Sequence, residues 1–297
     1  MYKEKSYKHL TKILYITEKE FKNIHSVIHY HTFQINKNNS TDKRTIMTPN
    51  ERLKKIQSRI LKLLQNITRP AWLISGEKGK CYIDNGKRHL NSSYFLTMDI
   101  EKFYDNCSRE YVFLFFKNRL NMAGDLAGLC TDIVTYDGRI PTGCPTSQII
   151  AYYAYENMFN DIYAVACKYG CEYTVYVDDI AFSSKNPFKA NQLKHEVDCI
   201  LRNYGHKPKY AKVKYYSKGK NVPITGTIVT PQHELKSPNK LQKKIYDNFQ
   251  TLKGLSEREL SDIETQRLNR LKGQIQAARN IEKGKFPEIN RLINLAN

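Results

Sequence analysis

Two adjacent carboxylates, Asp178 and Asp179, sit inside the run Tyr173-Thr174-Val175-Tyr176-Val177-Asp178-Asp179-Ile180-Ala181-Phe182-Ser183-Ser184. β-Branched and aromatic residues on both sides predict two strands joined at the acids, a hairpin with Asp178-Asp179 at its turn. Alternation along the first strand sends Val175 and Val177 to one face and Thr174 and Tyr176 to the other. Paired acids at an apolar tip repel each other and lose hydration, and a divalent cation shared with a further acid relieves both penalties. Asp-Asp is also ordinary turn chemistry, so the pair needs a companion. Phe95-Leu96-Thr97-Met98-Asp99 supplies one, an apolar strand running into a third acid. Three carboxylates on neighbouring strand ends could hold two Mg²⁺ ions roughly 3.5–4 Å apart, the clamp that grips attacking and leaving oxygens in phosphoryl transfer. Hard oxygen ligands of this kind select Mg²⁺ over Zn²⁺.

Asp99-Ile100-Glu101-Lys102-Phe103-Tyr104 and Tyr176-Val177-Asp178-Asp179 resemble, in order and spacing, the catalytic motifs of reverse transcriptases. The resemblance implies an α+β, right-hand polymerase fold: fingers, a palm of antiparallel sheet plus helices, and a helical thumb. Fingers would occupy 1–93 with 110–145, the palm 94–233 (as 94–109 and 146–233), and the thumb 234–297. Asp99, Asp178 and Asp179 would hold the two Mg²⁺ ions. Tyr104, five residues after Asp99, would be the steric gate that excludes a 2′-OH, with an ordinary core tyrosine as the alternative. Glu101 and Asp105 are read as surface acids. Ile140-Pro141-Thr142-Gly143-Cys144-Pro145-Thr146-Ser147-Gln148 resembles motif B, usually P-Q-G-x-x-x-S, and would form a rigid nucleotide-binding loop through Thr142 and Gly143. Thr142 stands where the family has glutamine, so the glutamine's contact does not transfer directly. Lys212 aligns with the lysine of motif D, which would donate a proton to departing pyrophosphate; a phosphate contact is the competing role.

Further elements must position these groups. Tyr30 to Ile35 and Lys43 to Met47 alternate as strands across a polar turn, Asn36 to Asp42. In reverse transcriptases a cationic residue of this fingers hairpin contacts the incoming triphosphate. Arg44 is the better match, with Lys43 the competitor and a plain surface charge the third reading. Asn85-Gly86-Lys87-Arg88-His89 resembles the N-A-x-x-H element of retron reverse transcriptases, with glycine in place of alanine. Ile224-Thr225-Gly226 resembles their V-T-G signature. On these two elements the chain resembles a retron-type enzyme, and Asn85, His89, Ile224, Thr225 and Gly226 are expected to face RNA.

A retron enzyme copies part of its own structured non-coding RNA into multicopy single-stranded DNA (msDNA), starting from a guanosine 2′-OH. The implied partners are that RNA, its msDNA product, deoxynucleotides and a separate effector protein acting in antiphage defence. Another bacterial reverse transcriptase, of the group II intron or defence-associated kind, and an RNA-binding scaffold with a vestigial polymerase site are the competing readings.

Helical periodicity fills the remainder. Thr17-Glu18-Lys19-Glu20 reads as a capping box ahead of Phe21, Ile24, Val27 and Ile28. Asn50 opens a helix carrying Leu53, Ile56, Ile60, Leu63 and Leu64 on one face. Helices are also predicted over Glu110 to Leu120, over Ile149 to Ala166, and over 189–204 closed by Gly205. Three amphipathic helices, starting at Ser237-Pro238, at Ser256 with Glu259, and at Phe286-Pro287, make up the expected thumb.

A formal net charge of +19 over 297 residues points to a polyanionic partner, although an AT-rich genome also enriches lysine. Twenty-one tyrosines interleaved with the basic runs offer stacking surfaces for bases. The seven cysteines form no metal-ligand spacing and read as reduced, mostly buried thiols; His25, His29 and His31 read as surface or structural. No apolar run is long enough for a membrane helix and Met1 to Lys5 starts no signal peptide, so a cytoplasmic protein is expected, without a membrane partner.

Overall fold

The computed structural model describes residues 7–36, 43–252 and 261–289. Two short helices open it, α1 (Tyr7–Leu14) and α2 (Glu18–Lys22). The expected capping box is present: Thr17 Oγ1 accepts from the Glu20 amide at 3.2 Å, and Glu20 accepts from the Thr17 amide at 2.9 Å. The helix does not continue through Ile28 as its apolar stripe suggests. It stops at Asn23, whose carbonyl accepts from the Ser26 hydroxyl at 2.8 Å, and a 3₁₀ turn (Ile24–Ser26) carries Ile24 into the core. Here a local side-chain bond wins over helix continuation.

Strand β1 (Tyr30–Asn36) pairs antiparallel with β2 (Lys43–Pro49), in register from Tyr30↔Pro49 to Asn36↔Lys43. The rest of the predicted turn, 37–42, lies outside the described residues. Asn50 Oδ1 then accepts from the Leu53 amide at 2.8 Å and caps α3 (Glu51–Leu64), as its sequence predicts. After α4 (Tyr82–Arg88) and β3 (Tyr94–Asp99) come α5 (Phe103–Asn106), α6 (Arg109–Leu114) and a π-helical turn (Phe115–Arg119), then α7 (Gly124–Val134).

The helix predicted from Ile149 to Ala166 is two, α8 (Ser147–Ala154) and α9 (Glu156–Lys168), broken at Tyr155. The Tyr155 hydroxyl accepts from the Ser108 amide at 3.0 Å and donates to the Asn106 carbonyl at 3.2 Å, while its ring packs on Phe103, Tyr111 and His206. These tertiary bonds accompany the break, and periodicity in the sequence carries no sign of them.

The palm-like core is a four-stranded antiparallel sheet, β4 (Glu172–Tyr176), β5 (Asp179–Ser184), β3 and β6 (Lys214–Tyr216), in that order. α10 (Ala190–Asn203) connects β5 to β6 through a 3₁₀ turn, Tyr210–Lys212. The sheet is covered on both sides. Leu96, Met98, Ile180 and Phe182 face the main core beneath α8 and α9. Phe95 and Ala181 face the other way, onto Val222, Ile224 and Val229 of a small second sheet, β7 (Val222–Ile224), β8 (Thr227–Val229) and β9 (Leu235–Lys236). Burial on both faces explains why the strands read as nearly continuous apolar runs. Val177 is not a strand residue facing with Val175; it lies in the turn.

Helices α11 (Asn239–Leu252) and α12 (Asp262–Ile281) form a separate apolar cluster through Ile245, Leu271, Ile275 and Ala278. Ser256 and Glu259, expected to open the second of these helices, lie outside the described residues. The described helix begins at Asp262, capped by Ser261 and Glu264. Of the third predicted helix only the start is described, and Ile289 packs on this cluster. No described helix is long and apolar enough to cross a membrane. None of the seven cysteines is in a disulfide, and Cys81, Cys167 and Cys199 are exposed rather than buried.

Gly86 is packed from above. A Cβ there would lie 2.3 Å from Thr227 Oγ1 and 2.9 Å from Leu235 Cδ2, so α4 touches the second sheet through a bare backbone. Gly86→Ala is expected to destabilise the fold by about 1–3 kcal/mol through overpacking. Thermal unfolding of the variant, lowered by several degrees, checks it; an unchanged midpoint contradicts the packing.

Candidate active site

The strand register brings the three acids together. Asp99 closes β3 directly opposite Asp179, the first residue of β5, and Asp178 occupies the β4–β5 turn beside them. Directly opposed Cα atoms in an antiparallel pair lie about 4.5–5.5 Å apart. The turn is tied down on several sides. Val177 takes φ +61°, an unfavourable region for a β-branched residue, and its amide donates to Ser75 Oγ at 3.0 Å. The Asp178 carbonyl accepts from the Ile100 amide at 2.9 Å, and the Asp99 carbonyl from the Lys209 amide at 2.7 Å. Backbone strain held by surrounding bonds is a common feature of functional turns.

Electrostatics follow from the crowding. Burial, then Asp178 and Asp99, push the Asp179 carboxyl up to about 6, against the opposing pull of Lys212 and the Thr225 hydroxyl. Asp178 is also raised, by burial first and by Asp99 second. Lys212 forms an ion pair with Asp99. Burial would lower the Lys212 ammonium, but its bond to Asp99 and the fields of all three acids carry it above the ordinary lysine range.

Among the described residues, no three acid, histidine or cysteine side chains are drawn into one closed ligand shell, and the Asp99 carboxylate is bonded to Lys212. The donor chemistry nevertheless fits Mg²⁺. Three oxygen-only carboxylates repel one another, two of them with raised affinity for protons, and a hard cation would stabilise all three together.

The other sequence-predicted residues fall in three places. Arg44, on exposed β2, is close enough for its charge to act on both Asp178 and Tyr104. Tyr104 is half-buried beside the acids, its hydroxyl raised well above the tyrosine range by burial and then by Asp178. Thr142 and Gly143 staple the loop before α8 onto β2. Thr142 Oγ1 donates to the Thr45 carbonyl and the Thr142 carbonyl accepts from the Met47 amide, each at 2.8 Å. Gly143 sits at φ +106°, where a side chain is strained, and a Cβ there would crowd Ile46 Cγ2 at 3.0 Å and the Met47 carbonyl at 3.1 Å. The Thr142 hydroxyl therefore braces the hairpin that carries Arg44.

The third place lies behind the acids. Asn85, His89 and Ile224 are buried and present no surface to RNA, whereas Thr225 is half-buried and Gly226 exposed. His89 joins Thr174 Oγ1 and Ser183 Oγ, each at 2.7 Å, and so bolts α4 across β4 and β5. Ser183 continues to Ser92 at 2.8 Å. Asn85 Nδ2 donates to Thr225 Oγ1 at 2.9 Å, and Thr225 stands 3.5 Å from Asp179 Oδ2. Ser75 went unread in the sequence, and Thr174 was read only for the face it takes on its strand. Ser75 follows a segment pairing with β4 at Leu73↔Val175, a contact with no local sequence signal.

A cleft of about 270 Å³ runs from the acids along the sheet, lined by Asp99, Asp179, Lys212, Ile224 and Thr225. A larger surface groove of about 760 Å³, lined by Lys168, Phe188, His195 and Glu196, does not include Asp99, Asp178 or Asp179, so chemistry and not size picks out the site.

The family model for reverse transcriptase (RNA-dependent DNA polymerase) matches residues 35–234, which include Asp99, Asp178 and Asp179, strand β2 with Arg44, and the Ile224-Thr225-Gly226 turn. The chain belongs to the reverse transcriptase family. Among curated relatives, Retron Se72 reverse transcriptase of Salmonella heidelberg (strain 579083-10) is 28% identical over 164 residues, 55% of this chain and 43% of that protein. Retron Ec86 reverse transcriptase of Escherichia coli is 26% identical over 167 residues, 54% of this chain and 51% of that one. These matches span about half of the relatives' own length. Retron Ec83 reverse transcriptase of Escherichia coli matches more broadly, 25% identical over 268 residues, 86% of this chain and 83% of the relative.

Two telomerase structures share the fold at a TM-score of 0.50. Apo telomerase from Candida tropicalis, truncated from its C-terminal domain, is 13% identical and covers 72% of this chain and 55% of that one. Telomerase from Candida albicans, with a fragment of telomeric RNA, is 12% identical and covers 88% and 56%. The reverse transcriptase fold thus reproduces the α+β arrangement expected from the motifs.

His89 links this site to pH. Burial holds its ring down to about 3, so the folded protein keeps it neutral while the unfolded chain protonates it near 6.5. Its contribution is present in full above that value and is lost progressively as pH falls from 6.5 toward 3. By pH 5 the loss is roughly 2 kcal/mol. Urea unfolding at pH 7 and pH 5 should show His89→Asn losing about 2 kcal/mol less than wild type on acidification. Buried His206, held down to about 4, keeps part of the slope in both proteins. Equal slopes would contradict the neutral His89 assignment.

Proposed function

We propose that this reverse transcriptase is an RNA-directed DNA polymerase of the retron type. The observation that carries the reading is the Asp99↔Asp179 register with Asp178 alongside, within reach of the charges of Lys212 and Arg44. Asp99, Asp178 and Asp179 would hold Mg²⁺, which, when bound, supplies charge neutralisation and a clamp on the oxygens of an in-line nucleotidyl transfer. The chain's own residues do the rest. Arg44 offers a fixed positive charge to the triphosphate of a deoxynucleotide. Tyr104 walls the place where a 2′-OH would project. Lys212 carries protons on Nζ at the edge of the cleft, suited to protonating pyrophosphate or stabilising its charge. A net charge of +19 favours a nucleic-acid template.

We divide the chain into fingers (1–93 with 110–145), palm (94–109 and 146–233) and thumb (234–297). The separate apolar cluster of α11 and α12 supports the last boundary. Similarity to three curated retron enzymes supports the subfamily. The substrate would then be the chain's cognate structured RNA, primed from a guanosine 2′-OH. The product would be msDNA, serving with a separate effector protein in antiphage defence.

Asp178→Asn should lower primer extension with Mg²⁺ by at least about 10³-fold, the loss of several kcal/mol of transition-state stabilisation, while RNA retention on a filter stays within about threefold. Sequencing nucleic acid copurified with wild type should return branched RNA-linked DNA of one defined sequence. Synthesis surviving in the variant would remove the acids from catalysis, and unbranched, heterogeneous nucleic acid would remove the retron assignment.

A further inference from the structure

Thr225 occupies an unfavourable place for its type. Thr225 and Gly226 are the two loop residues of the β7–β8 hairpin, between the paired Ile224 and Thr227, at φ +37° and +84°. Two positive φ values define a loop that prefers Asn-Gly, Asp-Gly or Gly-Gly, and a β-branched first residue is strained there. Gly226 is accounted for by its own surroundings, since a Cβ would press on the Tyr82 ring at 3.3 Å. Thr225 needs another reason, and its hydroxyl supplies one.

The hydroxyl lies between Asn85 and Asp179. Asn85 is 1% exposed, and its Nδ2 donates to Thr225 Oγ1 at 2.9 Å. Its Oδ1 has no hydrogen-bond partner, so the bond to Thr225 is what orients the amide. A hydroxyl has one proton to give. With the Asn85 amide donating to it, Thr225 directs that proton toward Asp179 Oδ2, 3.5 Å away at the long end of hydrogen-bond range. The order of donation is therefore Asn85 to Thr225 to Asp179.

Both ends are anchored. Four residues after Asn85, His89 fastens the end of α4 to β4 and β5, the strands of the acid hairpin. Gly86 packs on Thr227, and Thr227 Oγ1 closes the strained loop by donating to the Ile224 carbonyl at 2.8 Å. Helix α4 is thus a strut between the hairpin that carries Asp179 and the hairpin that carries Thr225.

We infer that Asn85 and Thr225 are positioning residues, a relay from a buried amide through a half-buried hydroxyl that fixes the Asp179 carboxylate for metal binding. Neither touches the reacting atoms. Supporting bonds behind metal ligands commonly contribute 10–100-fold to metal affinity or activity. The inference rests on the metal role given to Asp179 above, and its test keeps the two apart.

Mn²⁺ binding to the full chain, followed by electron paramagnetic resonance, is compared across wild type, Thr225→Val, Thr225→Ser and Asn85→Leu/Thr225→Val, alongside kcat and KM for deoxynucleotide. Thr225→Val should weaken Mn²⁺ binding and lower kcat by about tenfold or more with KM within about twofold, and Thr225→Ser should restore both to within about threefold. The double variant leaves no unpaired buried donor, which guards against a folding defect, and should bind Mn²⁺ no worse than Thr225→Val. Wild-type affinity in Thr225→Val, failure of serine to rescue, or a further loss in the double variant would each overturn the relay. A wild-type protein that binds Mn²⁺ but extends no primer would sink the polymerase reading while the comparison among variants still decides the relay.

Discussion

Three carboxylates that repel one another are held in place by an antiparallel register, and the rest of the palm answers to that constraint. Asp99 and Asp179 are opposed because β3 and β5 pair from Tyr94↔Ser184 onward; a one-residue slip would turn one acid away from the cleft. The slip is prevented by burial on both sides of the sheet, Leu96 and Phe182 toward the helices, Phe95 and Ala181 toward the second sheet. Hydrophobic packing thereby fixes an electrostatically unfavourable arrangement. The unfavourable part is visible in the raised carboxyls of Asp178 and Asp179 and in the Lys212 ammonium drawn onto Asp99.

Two braces converge on this cluster from opposite directions. From the fingers side, Thr142 and Gly143 lock the loop before α8 against β2, so that Arg44, whose charge acts on Asp178, is carried on a strand and not on a free loop. From behind, α4 ties the acid hairpin to the β7–β8 turn through His89 and Asn85. Both braces use buried or part-buried side-chain hydrogen bonds to backbone or hydroxyl groups, which fix position without adding charge to a site that already carries a surplus.

Much of this was legible in the sequence because it depends on local pattern. The apolar runs into Asp99 and around Asp178-Asp179 announced their strands, and Asn50 and Thr17 announced helix starts that the structure contains. What sequence reading missed depends on long-range contacts. Tyr155 marks the end of α8 through bonds to Asn106 and Ser108, and Ser75 reaches Val177 only because the chain before it pairs with β4. Asn85 and His89 were expected at an RNA surface because the segment they belong to resembles a retron element. Their burial shows polar groups recruited to hold one part of the protein against another.

The central claim is that Asp99 shares a metal centre with the later acid pair. Anomalous diffraction from crystals of the protein with a template–primer duplex and Mn²⁺ tests it most directly. The account predicts a manganese peak in direct coordination with Asp99 and with at least one of Asp178 and Asp179, and Lys212 displaced from the Asp99 carboxylate. Manganese held without Asp99, or no peak at the sheet edge while Lys212 keeps its ion pair, would contradict it.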